Sequence, residues 1–197
     1  MNPIEQHRPD EWALYQPLRG TRMLELGGKW CSQASATYKS VFEALGFEHI
    51  SVDWNGQHGA LRLDLREPQW EDLGEFDMVT NFGTTEHVDD QSGVWANIHY
   101  CTAQGGYYVG QTPYADGRNW WWHGQHYVTE KFYEDFAAMN GWKIERLYVG
   151  REEPYRNLYC RMQKLESAAF HMPQGGIKIN QRRSRHSVPA TCKAPAP

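Results

Sequence analysis

Short apolar runs in this sequence end in residues that suit a ligand-binding site. Arg22–Leu26 leads into Gly27 and Gly28, and two later runs end in Asp53 and Asp64. Adjacent glycines allow a bulky ligand to approach the backbone, because they carry no Cβ. Carboxylates at strand ends can accept hydrogen bonds from such a ligand. The alternative is that the glycines form a simple strand-to-helix turn and that both acids are solvated.

Candidate groups for proton transfer follow the next apolar run. Glu86 and His87 come shortly after Phe76–Phe82, which we predict to be the fourth strand. Imidazole changes its protonation near neutral pH, as a general base should. We therefore predict that His87 accepts a proton from the substrate and that Glu86 orients its ring or contacts the substrate. A purely structural His87 is the alternative.

A long aromatic stretch, residues 113–128, supplies further side chains that could bind a substrate or exchange a proton with it. It is too long for an ordinary connection in a compact domain, and long loops tend to be functional. We interpret it as a lid in which Trp121, His123 and Tyr127 bind the acceptor. His126, in the same stretch, is a second candidate base. The alternative is that the tryptophans of the stretch merely cover the edge of a sheet.

Seven strands that alternate with helices are predicted to position these groups. The strands are expected at residues 22–26, 49–53, 61–65, 76–82, 107–111, 144–149 and 158–165. Helical spacing predicts a helix from Tyr38 and another before Gly105, and Thr129 suits the N-cap of a third. The pattern indicates an α/β fold: a doubly wound, mostly parallel seven-stranded sheet with one antiparallel edge strand and helices on both faces. Ligands bind such sheets beyond the carboxyl ends of the strands, where the candidate residues fall.

The composition sets limits on the class of protein. A chain of 197 residues is about one domain, and its 9 Trp and 11 Tyr supply apolar surface for a core. Its excess of acidic over basic residues argues against a broad nucleic-acid surface. The four cysteines are far apart and lack zinc-site spacing, and no run is apolar enough for a membrane helix. We expect a cytoplasmic protein with free thiols.

The chain is predicted to divide into three parts. Residues 1–21 form an N-terminal flap, and residues 22–166 form the binding domain. Residues 167–197 carry five basic residues and no acid, are rich in proline and glycine, and are predicted to be a disordered tail that folding does not require. Loss of stability on truncation would instead mean that Phe170 or residues 177–179 dock on the body.

Taken in order, the strand ends resemble the motifs of class I S-adenosylmethionine-dependent methyltransferases. The matching segments are Leu24–Gly28, Val52–Trp54, Leu63–Leu65, Thr85–Val88 and Gln104–Gly106. The resemblance covers about residues 20–165 and implies a Rossmann-like fold with S-adenosylmethionine as cofactor. One departure stands out: the family's Gly-x-Gly-x-Gly loop reads Gly-Gly-Lys-Trp-Cys over residues 27–31, which makes this loop bulkier.

The resemblance implies a role for each residue at the strand ends. Asp53 would accept hydrogen bonds from both ribose hydroxyls, Trp54 would lie against the adenine, and Asp64 would lie near the adenine amino group. Asn81 would contact the methionine portion of the cofactor. The remaining implied cofactor contacts are Glu25, Gly27, Gly28 and Leu65.

The pair Glu86–His87 also resembles a segment of ubiquinone-type O-methyltransferases. Some relatives bind a divalent metal through a further Glu three residues earlier, where this chain has Gly83. We therefore expect no metal site and an activity that survives chelation.

The function predicted from these features is methyl transfer from S-adenosylmethionine to a small-molecule or glycan acceptor, at an oxygen. A non-catalytic S-adenosylmethionine-binding protein is one alternative. A dinucleotide-dependent oxidoreductase is another, since that class shares a glycine turn followed by an acid. The sequence leaves open the identity of the acceptor and the oligomeric state.

Overall fold

The computed structural model describes residues 9–15, 22–31, 35–115, 123–150 and 156–180. The strands are β1 (Arg22–Leu26), β2 (Trp30–Cys31), β3 (Ala36–Thr37), β4 (Glu48–Asp53), β5 (Leu61–Arg62), β6 (Phe76–Phe82), β7 (Thr102–Pro113), β8 (His126–Val128), β9 (Trp142–Val149), β10 (Asn157–Lys164) and β11 (Ile177–Ile179). The α-helices are α1 (Pro9–Tyr15), α2 (Tyr38–Ala44), α3 (Trp70–Leu73), α4 (Gln91–Cys101) and α5 (Glu130–Asn140). Two 3-10 turns cover Gln57–Gly59 and Thr85–His87.

Seven strands form one sheet in the order β5-β4-β1-β6-β7-β10-β9. All neighbours up to β7 pair in parallel, whereas β10 runs antiparallel to both β7 and β9. The predicted doubly wound α/β sheet is therefore confirmed, with its antiparallel strand next to the edge strand. The strand predicted at 61–65 pairs only over Leu61–Arg62, because Asp64 turns the chain by accepting a hydrogen bond from the Arg66 backbone N–H.

Two apolar clusters cover the opposite faces of the sheet, because successive residues of a strand point to opposite sides. Leu24 and Leu26 of β1 lie in the cluster that includes Trp95 of α4 and Phe136 of α5. Met23 of β1 lies in the other cluster, with side chains of α1 and α2. The sheet is thus held between helices on both faces, and its carboxyl-terminal edge is left for binding.

The helix starts show why these segments are helical. The Thr37 hydroxyl accepts a hydrogen bond from the Ser40 N–H at the start of α2, and Asp90 accepts one from Gly93 at the start of α4. Thr129 occupies the N-cap position of α5, as predicted, but its side chain makes no capping bond. Its hydroxyl donates instead to the Gly176 carbonyl at 3.2 Å.

Residues 167–180 differ from the predicted disordered tail. Phe170 packs against the main apolar cluster, and the backbone N–H of His171 donates to Asn140 at 2.6 Å. Farther along, β11 pairs antiparallel with β8. The sequence prediction gave the proline and glycine content too much weight against a few well-spaced apolar residues. Residues 181–197 lie outside the described part of the chain.

None of the helices in the described part of the chain combines the length and the apolar character needed to cross a membrane. Cys101 and Cys160 are buried free thiols. Burial raises the pKa of Cys101 to about 12, so this thiol stays protonated.

Candidate active site

A cleft of about 490 Å³ opens at the carboxyl ends of β4, β5 and β6. Its lining consists of Asp53, Trp54, Leu63, Asp64, Leu65, Arg66, Gly83, Thr84, His87, Val88, Asp89 and Gln125. The volume is typical of small-molecule sites, and the position is the one that doubly wound sheets use for ligands. The structure thus brings together residues from three strand ends and from the turn after β6.

The glycine turn holds the Asp53 carboxylate at one end of the cleft. Asp53 accepts hydrogen bonds from the backbone N–H groups of Gly28 and Asn55, each at 3.0 Å. A carboxylate has about four acceptor positions, so two are left for hydroxyl groups of a ligand. Gly27 has φ +83°, and a Cβ there would overlap the Thr84 hydroxyl, so this position requires glycine.

Trp54 and Leu65 border the same end of the cleft. The Trp54 ring is 58% exposed, and the Arg62 guanidinium lies 5.7 Å from its centre. Leu65 is buried and adds apolar surface. An exposed indole beside an aliphatic side chain offers flat apolar surfaces to a planar ring such as adenine.

Asp64 lines the cleft, but Arg66 already binds its carboxylate. The Arg66 side chain donates to both carboxylate oxygens at 2.6–3.0 Å, and this interaction lowers the pKa of Asp64. Arg66 also lies 3.8 Å from Asp89. A ligand that contacts Asp64 therefore meets an ion pair, not an isolated acid.

Asn81 is fully buried, and its amide holds the turn that follows β6. Its carbonyl oxygen accepts from the backbone N–H groups of Thr84 and Thr85, and its amide nitrogen donates to the hydroxyls of Thr85 and Tyr108. The Tyr108 hydroxyl continues to that of Tyr133 at 3.3 Å. These bonds place Asn81 in a positioning role, and it does not line the cleft directly.

Glu25 lies beneath the glycine turn, in a buried polar cluster. Its side chain is 4% exposed, and burial raises its pKa to about 8. His49 Nε2 lies 3.6 Å away, and burial lowers the pKa of this imidazole to about 4. The pair is therefore neutral at pH 7. Lys29 lies above it and pairs with Glu11 of the N-terminal helix at 3.4 Å, so the bulky residue after the glycines ties that helix to the turn.

Glu86, His87 and His123 form one cluster, and its member His87 lines the cleft. Glu86 is 2% exposed, and its Oε1 lies 3.1 Å from His123 Nε2 and 3.7 Å from His87 Nε2. The two imidazole rings meet edge to face, with centres 4.8 Å apart. Glu86 and His87 lie on the 3-10 turn after β6, whereas His123 comes from the far side of the long aromatic stretch. The structure thus brings His123, predicted in the lid, next to the predicted pair Glu86 and His87.

The other residues predicted in the lid occupy different places. His126 lies in β8, is buried, and hydrogen-bonds to the Glu86 backbone, and burial lowers its pKa. His126 is not among the residues that line the cleft, and its role as a second candidate base stays a prediction. Tyr127 is also buried, and its hydroxyl donates to the His123 carbonyl, so it shapes the loop. Trp121 falls outside the described residues.

Sequence reasoning missed several residues that line the cleft, among them Arg66, Asp89, Thr84 and Gln125. The Thr84 hydroxyl donates to the Leu26 carbonyl at 2.7 Å and so links the turn after β6 to the glycine turn. Gln125 donates its backbone N–H to the Glu86 carbonyl at 2.6 Å. The position of Thr84 within the segment between β6 and Glu86 was a usable signal. The hydrogen bond from Gln125 is made by its backbone, so its residue type could not have predicted it.

This arrangement of sheet and cleft is the fold of class I S-adenosylmethionine-dependent methyltransferases. NodS, an N-methyltransferase from Bradyrhizobium japonicum WM9 solved with S-adenosylhomocysteine, aligns with a TM-score of 0.62 at 16% identity, over 84% of this chain and 89% of that one. The 1,6-didemethyltoxoflavin-N1-methyltransferase of Burkholderia thailandensis aligns with a TM-score of 0.59 at 15% identity, over 81% of this chain and 78% of that one. Its structure holds 1,6-didemethyltoxoflavin and S-adenosylhomocysteine.

An S-adenosylmethionine-dependent methyltransferase from Mesorhizobium loti is similar to the same extent. Its TM-score is 0.59 at 14% identity, over 79% of this chain and 96% of that one. No protein-family model and no curated protein matches the sequence. The similarity to these proteins is therefore one of fold. Any conclusion about function depends on the residues of the cleft.

Proposed function

We propose that this protein transfers a methyl group from S-adenosylmethionine to an oxygen of a small-molecule or glycan acceptor. The observation that carries the proposal is the cleft itself, whose lining includes both the Asp53 carboxylate, here called the cofactor end, and His87 of the Glu86–His87–His123 cluster, here called the acceptor end. The first suits a ribose diol, and the second suits a hydroxyl group that must lose its proton. The fold shared with known methyltransferases supports the same assignment.

Methyl transfer from S-adenosylmethionine mainly requires the protein to position the two reactants. The acceptor oxygen forms a bond to the methyl carbon as the bond from that carbon to sulfur breaks, and the sulfonium becomes a neutral thioether. Holding both reactants in line contributes much of the rate, because it replaces a bimolecular encounter. The proton of the acceptor hydroxyl passes to His87, and the nearby Glu86 carboxylate stabilises the resulting imidazolium.

His87 fits this role better than the other histidines near the turn. It lines the cleft, and its side chain is 43% exposed, so an acceptor can reach it. His123 contacts Glu86 more closely and is 32% exposed, which suits a residue that holds the carboxylate in place. His126 is buried in β8.

Turnover to S-adenosylhomocysteine tests the proposal. The purified protein is incubated with S-adenosylmethionine and panels of phenols, sugars and hydroxy acids, and S-adenosylhomocysteine is quantified by chromatography. We expect acceptor-dependent product with at least one panel. Binding of S-adenosylmethionine without turnover in any panel would favour a non-catalytic binding protein. Binding of a nicotinamide cofactor in its place would favour the oxidoreductase alternative.

A further inference from the structure

The cluster at the acceptor end also has the geometry of a metal site. One ligand atom from each of Glu86, His87 and His123 can be chosen so that all three lie within 4.8 Å of one another. Ligand atoms in a tetrahedral zinc site with bonds of about 2.0–2.2 Å are roughly 3.4 Å apart. The distances of 3.1 and 3.7 Å from Glu86 Oε1 to the two imidazoles bracket that value. The third distance, between the two imidazoles, is within 4.8 Å, and the His87 side chain is 43% exposed and so has room to adjust.

A second observation at the same place points to a missing cation. Within the part of the chain that the structure describes, Glu86 Oε2 is buried and has no hydrogen-bond partner. Buried carboxylates in proteins are normally paired or bound to metal, because an isolated buried charge is costly. The contacts of 3.1 and 3.7 Å to His123 and His87 are made by the other oxygen, Oε1. A cation held by the cluster would compensate the charge of the whole carboxylate.

The backbone holds this carboxylate rigidly beside the cleft. Gly124 has φ +62°, and a Cβ there would lie 2.7 Å from Glu86 Cγ, so the loop packs directly on the glutamate side chain. The Glu86 carbonyl accepts the Gln125 N–H at 2.6 Å. Ligands fixed in this way lose little freedom when they bind an ion, which favours binding.

We propose that Glu86, His87 and His123 bind a divalent transition-metal ion of the Zn²⁺ type, with the remaining coordination position open to the cleft. Two imidazoles and one carboxylate suit zinc and its neighbours. Mg²⁺ and Ca²⁺ prefer all-oxygen ligands and are disfavoured here. The site needs no carboxylate at Gly83, because His123 supplies the third ligand from a distant part of the chain.

Occupancy of this site inhibits methyl transfer. A metal-bound imidazole nitrogen has no lone pair with which to accept a proton, so His87 cannot serve the acceptor while the ion is bound. The ion also occupies the space that the acceptor hydroxyl must enter. This inhibition rests on the proposed function, whereas the binding of the ion does not.

Metal binding is measured first, without any assay of activity. Tag-free protein treated with a chelator and desalted is titrated with Zn²⁺ by calorimetry, and with Co²⁺ by its visible absorption. We expect one ion per chain and the spectrum of a four- or five-coordinate nitrogen and oxygen site. Glu86→Gln, His87→Gln and His123→Gln should each weaken binding by more than the 10–100-fold that loss of an outer-shell partner costs.

The matched control is His171→Gln, which changes an exposed histidine outside the cluster. It should bind Zn²⁺ like the unmodified protein. Thermal unfolding followed by circular dichroism shows whether each variant is folded. Absence of a single bound ion in the unmodified protein, or equal affinity in all four folded variants, would overturn the site.

Activity is the second measurement. Zn²⁺ at a concentration that fills the site should abolish S-adenosylhomocysteine formation, and excess EDTA should restore it fully. His171→Gln should respond in the same way. Turnover that is unchanged or raised by Zn²⁺ would overturn the inhibitory role. Absence of turnover under every condition, with Zn²⁺ binding intact, would contradict the proposed function and leave the metal site standing.

Discussion

The two ends of the cleft are built in different ways. At the cofactor end, the Asp53 carboxylate is fixed by the backbone N–H groups of Gly28 and Asn55, from short turns next to their strands. At the acceptor end, Glu86 depends on His123, which is 37 residues away along the chain, and has one buried oxygen without a partner among the described residues. Nearby backbone N–H groups therefore hydrogen-bond the carboxylate at the first end. At the second end, one oxygen of the Glu86 carboxylate has no such bond among the described residues.

This difference separates a site built by local backbone geometry from one built by contacts between distant parts of the chain. Backbone donors at strand ends recur wherever the sheet recurs, because the turn geometry supplies them. A buried, partly unsatisfied carboxylate beside two partly exposed imidazoles is costly for stability, and local costs of this kind are typical of functional sites. We therefore expect the chemistry to depend on the acceptor end and the affinity for the cofactor to depend on the other.

The largest expected effect is on turnover when His87 is replaced. General-base assistance contributes about 10²–10⁴-fold, so His87→Gln should lower kcat by at least about 100-fold. Affinity for S-adenosylmethionine should change little, because His87 belongs to the acceptor end. Steady-state kinetics and calorimetry on the same preparation measure both. If His87→Gln lowered only the affinity for S-adenosylmethionine, His87 would belong to the cofactor end and the proposed roles of the two ends would be wrong.

Truncation tests how far the acceptor end depends on the C-terminal segment. A chain that ends at Glu166 loses the strand that pairs with β8 and the packing of the partly buried Phe170, Met172 and Ile177. Full burial of one such side chain contributes ~1.5–3 kcal/mol, so partial burial of three should together contribute about 3 kcal/mol. The melting temperature should fall by roughly 6–12 °C. A chain that ends at Asn180 is the control and should melt within a few degrees of the full chain. Equal melting temperatures for all three would restore the prediction of a dispensable tail.

A smaller effect is expected from the buried acid beneath the glycine turn. Because the folded-state pKa of Glu25 is raised to about 8, its protonated form is favoured, and stability falls as pH rises towards that value. His49 has a lowered pKa of about 4, so its own contribution is lost only as pH falls below about 6.5. Between pH 6.5 and 8, Glu25 alone should cost about 2 kcal/mol.

Glu25→Gln removes this ionisation and keeps the size of the side chain and an oxygen that can accept from the Lys29 N–H. Urea unfolding at about pH 6.5 and 8 should therefore show a smaller loss of stability in the variant than in the unmodified protein. The other charged groups near Glu25, including Lys29, Glu11 and Lys39, are present in both proteins and cancel in the comparison. The same loss in both proteins would mean that Glu25 is already ionised at neutral pH.

The sequence predicted the sheet well, for physical reasons, and it identified Asp53 and Trp54 as residues that the structure places in the cleft. Apolar runs such as Phe76–Phe82 match the observed strand, because a strand buried on both faces must be apolar nearly throughout. The sequence could locate Asp53 and Trp54 at the edge of the sheet because their position depends only on where β4 ends. Asp64 was placed in the cleft, but its pairing with Arg66 was not foreseen, since it depends on the turn that ends β5 early.

The acceptor end was harder to predict because tertiary contacts determine it. Glu86, His87 and His123 were each selected, yet the sequence could not show that His123 contacts Glu86 or that His126 turns into the core. Neither fact follows from residue type, since both depend on how β8 pairs with β11. The same pairing explains why a segment that reads as a tail contributes to the fold.

The most direct test is a calorimetric titration of the protein with S-adenosylhomocysteine, repeated with Asp53→Ala. The central claim is that Asp53 and the glycine turn bind this class of cofactor in the cleft. Hydrogen bonds to a charged acceptor contribute about 1.5–3 kcal/mol each. We predict binding of one ligand per chain, weakened by roughly 10–150-fold or more in the variant. Failure of the unmodified protein to bind, or equal affinity in the two folded proteins, would contradict the account.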